Sequence, residues 1–453
     1  MKKNFVFQYA LSVLGLVACA NPAFAQRFEL DNEGVVIAGD PIAIEVLDLP
    51  PETEIELRAE RVLKNYYQRG FPVRRYQSLA MFRSDESGRV DLATSPALSG
   101  SYEGADPLGL FRSMQPLGED VVEADDRVTL TARIDGEVVS STTFEMRTAT
   151  PGFRIEDVAS LPGSYFAAHP GPGKHPVIIV VDGVDDNRQS REVLMPQLVA
   201  KGYSVFHFAT FEVIFGPGKP SVEGLPTRYV DIPIDRLQKV RDWLIRRDDV
   251  DADRMGLYGY SRNGAYVLLA ATRFEWVKAV AGISPSDVVW EGWGDGVKLG
   301  TTSSYSWKGQ PFEYVPYSDN WFRETSKFGR GERGRLRTPM DEGRWANPDR
   351  VNAARIPIET YKGALFVAGG ELDDLWSAGH MVQNVAERRA EAGLATTLLV
   401  LPEAGHGITS TGYNPTLLFE EGEKRRMEAQ AQARTWTATL DFFREALKPG
   451  SEP

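Results

Sequence analysis

The chain contains, in order, a serine in a glycine-containing turn, a carboxylate loop and a histidine loop, which together could carry out acyl transfer. Residues 259–264 read Gly-Tyr-Ser-Arg-Asn-Gly and lie between an apolar run that ends at Gly259 and a helical run that begins at Ala265. A tight turn from a strand into a helix presents its serine as a nucleophile. Ser261 is therefore the candidate nucleophile.

This turn departs from the usual G-x-S-x-G spacing. Glycine normally occupies the fifth position because a bulky side chain would collide inside the turn, whereas this chain has Asn263 there and Gly264 one place later. Asparagine tolerates unusual backbone angles better than most residues do. We therefore expect the turn to form around Ser261.

A serine hydroxyl needs a base, and the base needs a carboxylate that orients it. In a site of this kind the chain order is serine, acid, histidine. An acidic loop follows the apolar run at 364–368, and the Gly-x-x-Asp spacing from Gly370 favours Asp373 as the acid. Asp374 is a close alternative, and Glu371 is a third candidate.

The histidine is chosen by elimination among five. His406 lies in the loop Pro-Glu-Ala-Gly-His-Gly at 402–407, directly after the apolar run 398–401. The acid and histidine loops both follow predicted strands, where the sites of open α/β sheets gather. The other histidines precede the first strong strand or fall within a predicted strand or helix: His169, His175, His207 and His380. The alternative for His406 is a solvated turn residue.

An anion that develops on the substrate oxygen needs N–H donors that are already in place. We expect one from the backbone of Arg262, directly after the nucleophile, and the other from Val184 in the loop 182–186. The three carboxylates of that loop leave an acidic metal site as a minor alternative. No cofactor and no metal are predicted.

The elements that must position these loops form two regions. From about residue 165, apolar strands alternate with amphipathic helices, which predicts a doubly wound, mostly parallel sheet of the α/β-hydrolase type over 151–450. Pro176–Val181 is apolar throughout, as expected of a strand buried on both faces. Residues 27–150 instead have short alternating runs between turn residues, which predicts a smaller all-β, immunoglobulin-like sandwich.

Residues 286–355 interrupt the strand–helix rhythm and contain five of the nine tryptophans. One interpretation is a cap whose aromatic side chains line an apolar substrate pocket. The other is that these side chains only pack the insertion onto the sheet. The sequence favours neither.

The N-terminus has the pattern of an export signal. Lys2 and Lys3 precede an apolar stretch too short for a confident membrane span, and Ala23-Phe24-Ala25 forms a cleavage site, so residues 1–25 are predicted to be removed. Leu16-Val17-Ala18-Cys19 also resembles a lipoprotein box, and lipid attachment at Cys19 is the alternative. We therefore expect a periplasmic or extracellular protein, free or lipid-anchored, with no later membrane span.

Composition restricts the partners. The net charge of -12 argues against a nucleic-acid partner, because no basic stripe is present. Cys19 is the single cysteine, so neither a disulfide nor a cysteine nucleophile is expected in the mature chain. A small-molecule substrate is the expected partner.

The sequence resembles the acyl-CoA thioesterases and bile acid-CoA:amino acid N-acyltransferases in both predicted regions. The similar segments are Tyr76–Phe82, Gly88–Leu92, Gly100–Phe111, Leu372–Ser377, Ala404–His406 and Tyr413–Pro415. The family usually has tryptophan where Arg112 stands and glycine where Asn263 stands. With its export signal, the chain would be an exported bacterial member.

The resemblance implies Ser261, Asp373 and His406 as the triad of an acyl-CoA thioesterase-like enzyme. Family members with a nucleophilic cysteine tend to transfer the acyl group to an amine, whereas those with serine tend to hydrolyse. Export conflicts with a cytoplasmic coenzyme A substrate, and no basic cluster is conspicuous for its phosphates. An exported carboxylesterase or peptidase-like hydrolase with the same triad is therefore the second hypothesis. A surface-binding protein on an inactive scaffold is the third.

Overall fold

The computed structural model describes residues 26–447 except for 32–33, 41, 66–71, 122, 185–189, 215–217, 331, 333, 419 and 421. The predicted export signal, with Cys19, lies outside the described residues. Among the helices in the described ranges, none is long and apolar enough to cross a membrane.

The N-terminal region consists of short and long strands with alternating burial. Its elements are β1 (Arg27–Leu30), β2 (Val35–Ile37), β3 (Ile44–Leu47), β4 (Glu54–Lys64), β5 (Val73–Arg83), β6 (Val90–Asp91), β7 (Ser99–Gly100), α1 (Gly109–Arg112), β8 (Gln115–Val121), β9 (Arg127–Ile134) and β10 (Glu137–Arg147). One sheet has the order β1-β3-β6, and the other has the order β2-β10-β9-β4-β5-β7 with β8 paired to β5.

Side chains from both sheets form a common core. Along β4, the side chains of Ile55, Leu57 and Ala59 are buried while those between them are more exposed, as expected of a strand with one covered face. Phe82 and Phe111 lie in the same cluster. The predicted all-β region ahead of the α/β region is confirmed.

The second region has a single large sheet with the strand order β11-β12-β14-β13-β16-β17-β20-β21. Its strands are β11 (Glu156–Asp157), β12 (Tyr165–Ala167), β13 (His175–Asp182), β14 (Ser204–Ala209), β16 (Val250–Tyr260), β17 (Val277–Ile283), β20 (Ala364–Gly370) and β21 (Thr397–Leu401). The pairs from β14 to β21 are parallel, and β11 and β12 are antiparallel additions.

Helices cover both faces of this sheet. They are α2 (Met195–Ala200), α3 (Leu237–Leu244), α4 (Arg262–Ala271), α8 (Ala378–Glu391) and α9 (Gly422–Leu447). Leu237 and Leu268 lie in the core on one face, and Leu198 and Phe443 lie in the core on the other. The predicted doubly wound, mostly parallel sheet is confirmed.

Two of these helices begin with a turn of another type. A π-helical turn, Ser190–Leu194, precedes α2. A 3-10 turn, Ile234–Arg236, precedes α3, which ends at Leu244. Hydrophobic period identifies a helix but does not distinguish its hydrogen-bond type, and this limits the prediction of its ends.

An insertion lies between β17 and β20. It contains β18 (Tyr305–Trp307), β19 (Gln310–Pro311), α5 (Trp321–Gly329), α6 (Arg337–Ala346) and α7 (Pro348–Ala353), and β18 also pairs with β15 (Ile232–Pro233). Trp290, Tyr317 and Trp321 stack in its core, with centroids 5.7 and 3.8 Å apart. Trp345 is 77% exposed. Part of the tryptophan set therefore packs the insertion internally.

Side chains of the second region contact the N-terminal sandwich. Tyr413, from the loop after β21, lies in the core of the N-terminal sandwich and contacts Phe111 at a centroid distance of 6.4 Å. Its hydroxyl donates to the carbonyl of Asp40, and Thr416 Oγ1 donates to the carbonyl of Lys64 at 3.2 Å. The sandwich is thus joined to a loop of the second region.

Candidate active site

Ser261 stands between β16 and α4 with φ 60° and ψ −125°. This is a strained conformation for a residue with a side chain, and such conformations cluster at functional sites. The Ser261 N–H donates to the carbonyl of Ile283 at 2.8 Å, and the Gly264 N–H donates to the carbonyl of Ser261 at 2.9 Å. The expected tight turn is therefore present.

The turn accommodates Asn263 because the close approaches fall on its glycines. A Cβ on Gly259 would lie 2.2 Å from the carbonyl oxygen of Asn263, and one on Gly264 would lie 3.0 Å from Pro285. The Asn263 side chain is buried, and its Oδ1 lies 3.4 Å from Oγ1 of Thr210. The asparagine is compatible with the turn, as expected.

The three predicted side chains are joined by two hydrogen bonds. His406 Nε2 lies 2.8 Å from Ser261 Oγ, and His406 Nδ1 lies 2.7 Å from Asp373 Oδ2. They come from the turn after β16 and from the loops after β20 and β21. Because these strands are parallel, their carboxyl ends bring the three loops to one edge of the sheet.

Asp373, and not its neighbours, reaches the histidine. Its side chain is fully buried, and its Oδ1 accepts the N–H groups of Leu375 and Trp376 at 2.8 and 3.2 Å. Asp374 accepts the Arg337 N–H through its main-chain carbonyl. The carboxylate that faces His406 is therefore the one that the Gly-x-x-Asp spacing from Gly370 favours.

His406 is held by its backbone as well as by its ring. Its carbonyl accepts the hydroxyls of Tyr260 and Ser284 at 3.2 and 3.1 Å. The imidazole packs against Tyr260 and, edge to face, against Trp376, with centroids 5.1 and 4.8 Å away. The side chain is 11% exposed, so it is a fixed and partly covered group rather than a solvated turn residue.

The two predicted oxyanion donors differ in availability. The Arg262 N–H lies in the first turn of α4, where a backbone N–H has no acceptor within the helix. The Val184 N–H, in contrast, donates to the carbonyl of Phe211 at 2.9 Å. The geometry therefore does not support the prediction for Val184. Gly183 is no substitute, because its N–H donates to Asp182 Oδ1 at 2.9 Å.

The Arg262 side chain is a feature that sequence reasoning missed. Its guanidinium carbon lies 4.9 Å from the ring centroid of Tyr229, 5.1 Å from that of Trp293 and 5.8 Å from that of Trp376. Its Nη1 donates to the hydroxyl of Tyr317 at 3.3 Å. These aromatic residues come from separate segments, so no local spacing signals them. We call this set of four aromatic residues the arginine cage.

The phenols around Arg262 stay protonated. Burial raises the pKa of Tyr229 and of Tyr305 well above the ordinary range, and these two hydroxyls are hydrogen-bonded to each other. Tyr305 also donates to the carbonyl of Arg262 at 2.6 Å. The surroundings of the guanidinium are therefore neutral. Within the described ranges, no three His, Cys, Asp or Glu side chains form a cluster that could hold a metal.

A parallel sheet whose strand ends present a serine at positive φ, a buried aspartate and a histidine defines the α/β-hydrolase fold. Among solved structures, a Pyrococcus furiosus esterase aligns with a TM-score of 0.40 and 15% identity over 67% of this chain and 96% of its own.

Sequence relatives and family assignments extend across both regions. The chain is 24% identical to acyl-coenzyme A thioesterase 2, mitochondrial, of Homo sapiens, over 98% of this chain and 89% of the relative. It is 25% identical to bile acid-CoA:amino acid N-acyltransferase of Mus musculus, over 91% and 96%. Residues 39–160 match the acyl-CoA thioester hydrolase/BAAT N-terminal region, and residues 232–449 match the BAAT/acyl-CoA thioester hydrolase C-terminal region. The chain belongs to this family.

Proposed function

We propose that this protein is a serine acyl-hydrolase that cleaves an acyl thioester or ester through an acyl-Ser261 intermediate. The observation that carries the proposal is the hydrogen-bonded series Ser261–His406–Asp373, with Ser261 held at φ 60°. Such a series allows a hydroxyl to act as nucleophile at neutral pH because an oriented imidazole accepts its proton.

In the acylation step, Ser261 Oγ attacks the carbonyl carbon of the substrate, and His406 Nε2 takes the hydroxyl proton. Asp373 holds the Nδ1 proton and stabilises the imidazolium that forms. The tetrahedral intermediate collapses, the bond to the leaving group breaks, and the leaving thiolate or alkoxide receives the proton from His406. The Arg262 N–H is the proposed donor to the oxyanion.

In the deacylation step, water replaces the leaving group. His406 Nε2 takes a proton from the water as its oxygen attacks the acyl carbon, and Ser261 Oγ receives that proton when the acyl bond breaks. The products are the free acid and the restored serine. The edge-to-face contact between Trp376 and His406 supports an imidazole that keeps one orientation through both steps.

The leaving group is proposed from the relatives. Their names describe acyl-coenzyme A substrates, which supports a thioester for this chain. The predicted export signal supports the second candidate, a carboxylesterase acting outside the cytoplasm. We favour an acyl thioester as the substrate because the family match extends over both regions.

Covalent labelling tests the serine mechanism. The protein is treated with a fluorophosphonate, and the adduct is mapped by mass spectrometry, with Ser261→Ala as the matched control. We expect one adduct, on Ser261, and none on the variant. An unlabelled Ser261, under conditions where a known serine hydrolase is labelled, would exclude acyl-enzyme chemistry.

Substrate comparison tests the leaving group. Turnover is measured on acyl-CoA thioesters, on para-nitrophenyl esters of the same acyl group and on the corresponding amides. A saturable preference for the CoA thioester is expected. A higher kcat/KM on the simple ester would instead favour the carboxylesterase.

We also propose that the protein is exported. Cell fractionation followed by N-terminal mass measurement tests this proposal. Cleavage after Ala25 gives a free chain that begins at Gln26, whereas cleavage before Cys19 with an added lipid mass gives an anchored one. An intact N-terminus in the cytoplasmic fraction would contradict export in either form.

A further inference from the structure

The residue that follows the nucleophile places a positive charge beside the reaction centre. The Arg262 guanidinium lies within 5.8 Å of the ring centroids of Tyr229, Trp293 and Trp376. Trp376 also packs on His406, at 4.8 Å between ring centroids. The same indole therefore contacts both the Arg262 guanidinium and the His406 imidazole.

This charge has no carboxylate partner among the described residues. Among the residues that the structure describes, its guanidinium makes one hydrogen bond, from Nη1 to the neutral hydroxyl of Tyr317. Within the same ranges, Nε and Nη2 have no acceptor, and neither atom is among those closed off from solvent. Aromatic faces stabilise a cation without occupying its N–H groups. The guanidinium therefore keeps an edge of free donors.

Two arginines of the insertion are used differently. Arg344 is paired with Asp287 at 2.7 Å, and Arg337 Nη1 donates to the carbonyls of Glu371 and Asp373 at 3.0 and 3.3 Å. Their N–H groups hold the insertion and the acid loop in place. Arg262 is distinguished from them by its unused donors.

The position of this cation is unfavourable for the helix that begins there. Arg262 is the first residue of α4, whose N-terminal end carries a partial positive charge and whose first turn has no acidic residue. A bound anion would be attracted by both the guanidinium and the helix terminus. The local electrostatics therefore favour a negatively charged group beside Arg262.

We propose that Arg262 binds a carboxylate on the substrate, so that the protein prefers acyl thioesters or esters that carry a carboxylate in addition to the scissile bond. This inference rests on the proposed serine hydrolysis. A guanidinium and a carboxylate are planar and match through paired N–H donors, and such charge-assisted bonds are among the strongest in proteins. The arginine cage fixes the plane of the fork before the substrate arrives.

A small cavity beside Arg262 limits where the carboxylate lies. The cavity bounded by Tyr229, Arg262, Trp290, Tyr305 and Trp376 has a volume of about 10 Å³, which has room for one water at most. The carboxylate therefore binds at the open Nε–Nη2 edge and not among the rings.

Three esters of matched length test the inference. A para-nitrophenyl hexanoate is neutral, a mono-para-nitrophenyl adipate carries the carboxylate on the acyl side, and a hexanoate of a carboxylated nitrophenol carries it on the leaving side. We expect kcat/KM to be about 10- to 100-fold higher for one carboxylate ester than for the neutral ester, as for hydrogen bonds to a charged group. Which of the two is preferred identifies the side that Arg262 contacts.

Variants assign this preference to Arg262. In Arg262→Met the ratio of carboxylate to neutral kcat/KM should fall to about one, and Arg262→Lys should keep part of it, because lysine has a charge but no planar fork. Arg350→Met is the control, since Arg350 also stacks on a ring, Tyr314, at 4.4 Å within the insertion. It should keep the wild-type ratio. A role in packing alone would change turnover of all three esters alike.

The outcomes separate this inference from the proposed function. If wild type hydrolyses the neutral ester through Ser261 but shows no carboxylate preference, the carboxylate site is refuted and the hydrolase stands. If Ser261→Ala retains turnover, the proposed function itself fails. If Arg262→Met does not fold, inhibition of wild type by free adipate is compared with its inhibition by hexanamide. Stronger inhibition by adipate would support the carboxylate site. Equal inhibition would overturn the proposal.

Discussion

One arginine in each region shows a difference in how the protein surrounds a positive charge. In the sandwich, Arg112 is 5% exposed, and its Nη2 lies 2.9 Å from Oδ1 of Asp106. In the α/β region, Arg262 lies among aromatic rings and has no carboxylate partner within the described ranges. The first charge is neutralised inside the protein, whereas the second keeps donors for another molecule.

Other polar side chains are also arranged differently in the two regions. In the α/β region, Ser261, His406 and Asp373 form one hydrogen-bonded series at the ends of parallel strands. In the sandwich, polar side chains alternate with core residues along antiparallel strands, as in β4. We therefore expect variants of the α/β site to reduce turnover without reducing stability, and variants inside the sandwich to do the reverse.

The largest effect is expected for Ser261→Ala. Loss of the nucleophile should lower kcat by about 10,000-fold or more, whereas the thermal unfolding midpoint should stay near that of wild type because a small side chain is replaced by a smaller one. Steady-state kinetics and a thermal melt measure both quantities. A loss of stability in Ser261→Ala would contradict the expectation that variants of the α/β site reduce turnover alone.

A paired substitution in the acid loop comes next. Asp373→Asn should lower kcat by about 1,000-fold or more, because an amide no longer holds His406 in the productive tautomer. Asp374→Asn is the matched control and should change kcat by less than about threefold. A larger loss in Asp374→Asn than in Asp373→Asn would show that the structure orients the wrong carboxylate.

In the sandwich, Arg112→Met should reduce stability by about 3 kcal/mol, because the Asp106 carboxylate would remain buried without its partner. Its kcat per folded molecule should be unchanged. Arg83→Met provides the control, since Arg83 pairs with Glu54 on the surface and such pairs contribute about 1 kcal/mol at most. Urea denaturation measures both variants. Equal losses would contradict a structural role for the buried pair.

The smallest effect is expected in the pH dependence of stability, and it comes from His207 in the α/β region. Burial, together with the charge of Arg191, lowers the pKa of His207 to about 3. Below about pH 6.5 the unfolded chain binds a proton that the folded protein does not, so the free energy of unfolding falls as pH falls.

Between about pH 7.5 and pH 5.5, wild type should therefore lose about 1.4 kcal/mol more stability than His207→Phe does. Urea denaturation of both proteins at each pH provides the comparison. Parallel pH profiles would show that the pKa of His207 is the same in the folded and unfolded states, and a smaller loss in wild type than in His207→Phe would show that Asp182, 4.0 Å away, stabilises the protonated ring.

The sequence predicted the α/β region better than the sandwich. The apolar run Pro176–Val181 corresponds to β13, because a strand buried on both faces needs no polar residue. The long strand β4 was not predicted. Its sequence, EIELRAERVLK, is rich in residues that favour helices, and pairing with β5 and β9 overrides that preference.

At the site, chain order and loop position were enough to indicate that Ser261, Asp373 and His406 would lie together, and two hydrogen bonds join them in the structure. The arginine cage was not predictable, because Tyr229, Trp293 and Trp376 approach Arg262 only through the fold. The Val184 N–H failed for a similar reason, since its acceptor, Phe211, follows a neighbouring strand. Local sequence indicates which groups are present but not which of their hydrogen bonds are already made.

Because Tyr413 contacts the core of the sandwich, the segment that carries His406 depends on both regions and not on the α/β region alone. The segment that carries His406 leaves β21 and continues to a tyrosine embedded against Phe111 and Asp40. His406 is therefore held between two anchors, one in each region. We therefore expect a chimera that takes one region from a distant relative to lose activity even where both regions fold.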